Sequence, residues 1–392
     1  MRVTLVATHF AEYAARLALA LAVRHTVQLH LARPNAGAEL PGALRHALAD
    51  TVALALHDAP ARRDLVRQGA ALVRATRDFG PDLVHAQEAA PWTLWAARGL
   101  GLARRVPFVL TVHDPRPHSG VDAVAWTRGR FPTSRLRRGA DAVIVHGAGL
   151  VGDLDGVGRG RIAAMPHGVL GEACHRATQP VPGRLLFLGR IEAYKGLGIL
   201  LDAAERLARE GLAFEIVVAG RGTDLHRHRA RIAALAPRVV LEEGHVPPDA
   251  LPDRLGRACV VVTPYLDATS SGVAALALNA GRPVVASRVG ALPEMVRDGV
   301  NGLLVPPNDP VALAAVLRRL ILDPALAARL GRGAAATADG PLSWAAVARR
   351  TEAVYAAALA GRPQAEESPS AVSSAGSIVP ASETSVMPPS PR

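Results

Sequence analysis

Thr269, Ser270, Ser271 and Gly272 stand between an apolar β-branched run, ACVVVTPY (258–265), and an Ala/Leu-rich stretch of helical pattern that opens near Gly272. A helix that begins where a strand ends leaves several backbone N–H groups without internal partners and carries partial positive charge, so its mouth suits an anion. Three hydroxyls and a glycine that admits close backbone approach make this loop a candidate diphosphate cradle. Ser and Thr at such a place also serve as ordinary N-caps. A second segment, RLLFLGRIEAYKGLGILLDAAERL (184–207), repeats strand, glycine turn and amphipathic helix, with Gly189, Arg190 and Lys195 in the turn. Arginine grips two oxygens at once and lysine acts as a point charge, so the two beside a backbone-rich loop fit a pyrophosphate. Either cation alone reads as solvated surface charge.

His113 ends the run FVLTVH and opens HDPRPHSG, a loop with two prolines and His118. A histidine at the carboxyl end of a strand in an α/β enzyme is placed for polar contact with substrate, although a lone histidine is more often structural. Asp114 stands next to it to orient the ring. In MPHGV, His167 and Gly168 read as a tight turn whose glycine takes the unusual backbone angle, with substrate contact secondary. Glu294, in GALPEMV, follows a glycine loop and opens another helix. It either caps that helix or stabilises the fold near the phosphate loop. No pair of carboxylates is set out for glycoside hydrolysis, and no DxD stands at a strand end to hold a divalent ion, so no metal and no cofactor are expected.

Positioning these groups requires strands that all deliver their carboxyl ends to one place. Short apolar runs alternate with helical patterns along the chain, the signature of parallel sheets covered on both faces. In the first half the runs are 3–8, 26–31, 52–57, 82–87, 108–113 and 142–147; in the second they are 185–189, 215–220, 239–245, 259–265, 283–287 and 302–306. This predicts an α/β protein of two doubly wound, Rossmann-like domains facing across a cleft, where ligands meet the strand ends. The expected boundaries are 1–170, a polar, proline-containing linker over 171–183, 184–342, a helix over 343–360, and a Ser/Pro/Ala/Glu-rich disordered tail over 361–392.

A chain of 392 residues is long enough for two cores, and with 49% apolar but only 4% aromatic residues those cores must be filled by Ala, Leu and Val. Cys174 and Cys259 are far apart and without metal-ligand spacing, which argues against disulfide scaffolding and a structural zinc site. MRVTLVAT is not a charged n-region followed by an apolar core, and no stretch is apolar enough to span a membrane; a cytoplasmic protein is expected. The formal charge is +11, and since the tail from 361 holds two arginines against three glutamates, the excess lies in the body. Its densest segment is RGRFPTSRLRR (128–138), with Arg128, Arg130, Arg135, Arg137 and Arg138 and no acidic residue. Attraction to anionic headgroups at the inner face of the cell membrane, or to a phosphate-bearing lipid, is one reading; a solvated arginine-rich face is the other. Scattered basic residues and few aromatics argue against nucleic acid.

At LGRIEAYKGL, SSGVAALALNAGRPVVAS, GALPEMV and NGLLVPPNDPVALAAVL, and in the first half at PDLVHAQ, TVHDPRPHSG and MPHGV, the chain resembles the retaining GT-B glycosyltransferases of family four, over about residues 1–360. The resemblance implies that Arg190 and Lys195 contact a donor diphosphate, that His113 lies near the transferred sugar, and that the helix over 343–360 packs back on the first domain. It also exposes departures. The two glutamates usual in this family correspond to Ala268 and Leu276, and the chain instead looks like a branch with an A-T-x-S-G-V loop, Ala268 to Val273, in which hydroxyls and amides take over and Asp267 is a substitute carboxylate. The glycine-rich turn after the first strand is replaced by ATHFAEYAARLALAL (7–21), so His9, Glu12 and Tyr13, with Asp114, are expected to shape the acceptor side.

The function so implied is a hexosyltransferase-like enzyme that moves a sugar from a nucleotide-diphosphate donor to a glycan or lipid-linked acceptor, retaining and metal-independent, in polysaccharide or glycoconjugate biosynthesis. The absent glutamates leave two alternatives: a non-catalytic sugar-nucleotide-binding subunit, and a GT-B nucleotide-sugar epimerase.

Overall fold

The computed structural model describes residues 1–59, 62–89, 91–117, 121–154, 156–171 and 179–361, without the side chains of 62, 121–129 and 159. His118, Cys174, most of the expected linker and the tail beyond 361 lie outside the described residues.

Among the described residues thirteen strands form two parallel sheets. The first contains β1 (Arg2–Ala7), β2 (Thr26–Ala32), β3 (Ala53–His57), β4 (Leu83–Gln87), β5 (Phe108–Val112), β6 (Ala142–Val145) and β7 (Ile162–Ala164), in the order β3-β2-β1-β4-β5-β6-β7. The second contains β8 (Arg184–Arg190), β9 (Glu215–Arg221), β10 (Val239–Glu243), β11 (Val260–Thr263), β12 (Val284–Ser287) and β13 (Gly302–Val305), in the order β10-β9-β8-β11-β12-β13. Every predicted apolar run became a strand within two residues at either end. The exception among strands is β7, three residues of which only Ile162 is buried, too short to leave a periodic signal.

Successive strand residues point to opposite faces. Thus Val3, Leu5 and Ala7 enter one core with the helix Ala11–Ala22, while Val6 enters another with Val84, Ala86 and Phe108. The second sheet divides in the same way, with Leu185 and Phe187 on one face and Leu186 and Leu188 on the other. Large side chains are few in these layers, and the small ones let helix and sheet approach closely. The helix Trp344–Leu359 meets the second sheet's cores only through its first residue, Trp344. Its Val347, Ala348, Val354 and Tyr355 are buried in the core of the first sheet, each large apolar group worth about 1.5–3 kcal/mol of burial. Its first turn is capped by Ser343 Oγ, which accepts from Ala346 N at 3.3 Å. The chain therefore crosses between the bodies twice, and the crossings touch: Val169 N donates to Leu342 O at 3.1 Å and Trp344 Nε1 to Val169 O at 2.7 Å.

Candidate active site

Both sheets reverse their winding beside their first strand, between β1 and β4 and between β8 and β11. Helices leave a crevice there beyond the carboxyl ends of the strands. The two crevices face each other and enclose a cavity of about 320 Å³, lined by Phe10, Glu12, Tyr13, His113, Asp114 and His167 from the first body and by His245, Leu251, Ser270 and Gly272 from the second. Hydrogen bonds cross it: Thr269 Oγ1 donates to Asp114 Oδ1, Gly171 N to Glu12 Oε1 at 2.6 Å, and Asn279 Nδ2 to Gly171 O at 2.8 Å.

On the second body's side the helix Gly272–Asn279 opens on Ser271, whose hydroxyl accepts from Ala274 N at 3.1 Å and pairs with Tyr265 Oη at 3.2 Å. Lys195 Nζ lies 3.9 Å from the centre of the Tyr265 ring and 5.1 Å from that of Tyr194. Arg190 donates to Tyr194 Oη at 3.2 Å. The turn after β8 is thus pressed onto the loop after β11. Gly196 makes this contact possible: its φ is +71° and a Cβ there would stand 2.0 Å from Pro264 O, so no other residue fits. Gly189 backs onto Val273. Two cations and a helix mouth therefore share one tyrosine-linked patch. Ser270 Oγ is buried with no hydrogen-bond partner in the described structure, and Asp267 stands 3.8 Å from Arg116 of the opposite body.

On the first body's side His113 is buried at the cavity wall. Its ring stacks on Phe10 with centroids 3.8 Å apart and meets Tyr13 edge-on at 4.9 Å. Nε2 donates to Gln87 Oε1 at 2.8 Å, which leaves Nδ1 as the bare nitrogen. Gln87 leads on to His85, and His85 Nδ1 to Tyr355 Oη at 2.7 Å, so a polar chain joins the cavity wall to the C-terminal helix. Two further rings complete the group. His146 lies 4.8 Å from His113 and 4.7 Å from His167, centroid to centroid, and His167 Nδ1 donates to Gly168 O at 2.6 Å. Burial first, then neighbouring histidines, pushes the His113 pKa down to about 3. Burial also lowers His167 to about 4, against the Gly168 hydrogen bond. His146 falls well below its usual value, burial first and then the His167 and His113 rings, with the nearby Met165 backbone acting the other way although neither ring nitrogen meets hydrogen-bond geometry. All three are neutral at physiological pH.

Other expected residues land differently. His9 is exposed, 3.0 Å from Asn35 Nδ2, and is not part of the cavity wall. Glu12 lines the cavity but is already engaged by Gly171 N and by Arg16 at 2.8 Å. Glu294 does not cap its own helix; it accepts from Ala148 N at 2.9 Å and Gly149 N at 3.0 Å of the first body. Within the basic segment, Arg137 is 5% exposed and grips Glu88, with Nε to Oε2 at 2.6 Å. This corrects its reading as a surface charge: sequence separation hid a buried ion pair. Among the described residues, Arg130 and Arg135 are exposed, Arg138 donates to Ser134 Oγ at 3.1 Å, and the Arg128 side chain is outside the description.

Sequence reasoning missed His146, Gln87, Glu39 and His245. His146 follows β6 as His113 follows β5, so the same strand-end signal was present in AVIVHG. Glu39 accepts from Ala11 N at 2.6 Å and so caps the helix Ala11–Ala22 from a distance, a contact no local pattern reveals.

The profile of Glycosyltransferase Family 4 matches residues 10–169 and that of Glycosyl transferases group 1 matches residues 182–323. A glycogen synthase of Mycobacterium tuberculosis is 32% identical over 319 residues, covering 76% of this chain and 75% of that protein. A D-inositol 3-phosphate glycosyltransferase of Streptomyces bingchenggensis is 37% identical over 205 residues, 49% of this chain and 45% of that one. Among solved structures, Anabaena Alr3699/HepE in complex with UDP and glucose superposes with a TM-score of 0.69 at 17% identity, over 91% of this chain and 100% of that one, which supports the GT-B arrangement of the two sheets. The two-sheet cleft, the matched profiles over both bodies and the extended similarity together identify the chain as a glycosyltransferase of family 4.

Proposed function

We propose that this glycosyltransferase takes a sugar from a nucleoside diphosphate, with retention and without a metal ion, and passes it to a glycan or lipid-linked hydroxyl in polysaccharide or glycoconjugate synthesis. One observation carries the reading: Lys195 lies over the Tyr265 ring, whose hydroxyl pairs with Ser271, which brings a cation toward the mouth of the helix Gly272–Asn279. The diphosphate spans that mouth, Arg190 and Lys195 neutralise it, and Thr269, Ser270, Ser271, Gly272 and Val273 supply hydroxyls and amides. Preorganised charge of this kind is worth most where a leaving group gains charge. The bond from the sugar's anomeric carbon to the β-phosphate oxygen breaks, the acceptor oxygen bonds to that carbon on the same face, and the acceptor's proton passes to the departing phosphate.

His113 contacts the transferred sugar from the opposite wall. Thr269 holds the Asp114 carboxylate beside Ala268, where the family places a glutamate, and Asp114 is our candidate for the missing carboxylate. Glu12 and Tyr13 border the acceptor. That Anabaena Alr3699/HepE is described with UDP and UDP-glucose makes uridine the first base to try.

The test is a panel of UDP-, GDP- and ADP-sugars with nucleotide release measured for the wild type and Lys195→Ala. Loss of one unpaired contact to a phosphate in a dry site costs about 2.7–4 kcal/mol, so release with the preferred donor should fall by about 10²–10³. Nucleotide binding without turnover would instead favour a binding subunit, and sugar interconversion without release an epimerase.

A further inference from the structure

Among the described residues, one group of three metal-ligating side chains stands together: His113, His146 and His167, one nitrogen from each lying within 4.8 Å of the others, all buried. Nothing in sugar transfer requires three neutral imidazoles at one point. The geometry points to a divalent transition-metal site at the floor of the cleft, of the zinc or nickel class, bound by these three rings with its open position toward the cavity. Several features support it.

The donor set is imidazole alone, which suits zinc, copper, iron and nickel and not magnesium or calcium, whose sites are built of oxygen. His113 and His167 each have their second nitrogen fixed as a donor, to Gln87 Oε1 and to Gly168 O, the outer-shell arrangement that orients metal-binding histidines. His146 is 2% exposed and neither of its ring nitrogens finds a hydrogen-bond partner. Tyr13 Oη, whose ring lies 5.0 Å from His167 and 5.1 Å from His146, is buried and unpartnered too; it is placed to bond a metal-bound water. Orphaned buried groups of this kind are destabilising, a penalty that an ion and its water remove together. The cavity wall includes His113 and His167, so an entry path exists. Bonds of about 2.0–2.1 Å in tetrahedral array need nitrogens about 3.4 Å apart, so the rings close inward on binding.

An ion here takes the bare nitrogen of His113. The metal therefore inhibits a reaction that needs none, by withholding that ring from the sugar. The inhibition rests on the role proposed for His113, whereas the binding does not.

Chelator-treated full-length protein is titrated with Zn²⁺ by calorimetry and with Co²⁺ by visible absorption, alongside His146→Phe and His167→Gln, each checked by thermal melting. One equivalent is expected, with the intense visible band of four-coordinate Co²⁺, and affinity at least tenfold weaker in either variant. No stoichiometric binding by the wild type, or equal binding by every folded variant, overturns the site. If a variant fails to fold, the wild-type stoichiometry and cobalt spectrum decide. In the transfer assay Zn²⁺ should inhibit the wild type, reversibly by EDTA, and inhibit His146→Phe at least tenfold less. Binding without inhibition would leave the site standing and refute His113 as a sugar contact.

Discussion

His113 owes its orientation to Gln87. The carboxamide fixes which nitrogen carries the proton, and Phe10 and Tyr13 hold the ring plane. Gln87 is absent from the residues lining the cavity, so it acts through the histidine and is a positioning residue. Gln87→Leu should lower kcat by about tenfold, some 1.4 kcal/mol of lost alignment, and leave the donor KM near its wild-type value. Gln87→Glu asks a sharper question. A carboxylate in hydrogen-bond reach favours the imidazolium, so the His113 pKa rises from about 3 and an acid limb should enter the pH profile of kcat/KM. A parallel fall in both variants with no change in the shape of that profile would reduce Gln87 to a packing role.

At the scale of elements, strands were legible and partnerships were not. Apolar β-branched runs declare themselves because both faces of a parallel strand are buried, and the motifs at their ends were legible for the same reason. Ser271 was recognisable as a cap, and Arg190 and Lys195 as a pair, because each signal lies within a few residues. Glu39 capping a helix 28 residues away, and Arg137 meeting Glu88 across 49 residues, depend on how elements pack. The buried Arg137 in the basic helix Val121–Arg138 decides which residues can test the membrane reading. Reversing Arg137 would break a buried pair and cost about 3–5 kcal/mol of stability whatever the membrane does. Among the described side chains the exposed groups include Arg130, Arg135, Arg138 and Phe131, which is 51% exposed and stands 5.8 Å from Trp95, itself 40% exposed. Each basic residue near an anionic surface contributes about 1 kcal/mol. Arg130→Glu with Arg135→Glu should therefore weaken flotation with phosphatidylserine vesicles by at least tenfold while melting unchanged; undiminished flotation would assign these arginines to ordinary solvated surface.

For the whole molecule, the cleft is a place where burial outruns polarity. Two sheets deliver their strand ends to one cavity, and the C-terminal helix, returning to the first body, packs behind its wall with Trp344 5.0 Å from Tyr13 and Tyr355 bonded to His85. Enclosure leaves His85, His113, His146 and His167 neutral, with pKa values pushed down to about 3 for His85 and His113 and about 4 for His167, and in the same direction for His146. In the unfolded chain each takes a proton near 6.5. Their contribution to stability is therefore complete above pH 6.5, declines as pH falls below it, and is exhausted once the folded values near 3 to 4 are passed. Each ring contributes a slope of about 1.4 kcal/mol per pH unit inside that window, so acidification from pH 7 to 5 should destabilise the fold by several kcal/mol. A net charge of +11 adds self-repulsion on the acid side, but repulsion between exposed charges is screened by salt and the burial of a neutral ring is not. Urea unfolding across this range in 0.5 M NaCl separates the two: the slope should persist and should lose about one proton's worth in His146→Phe. A flat profile at high salt would mean that these rings exchange protons freely in the native fold, and that the cleft floor is open to water.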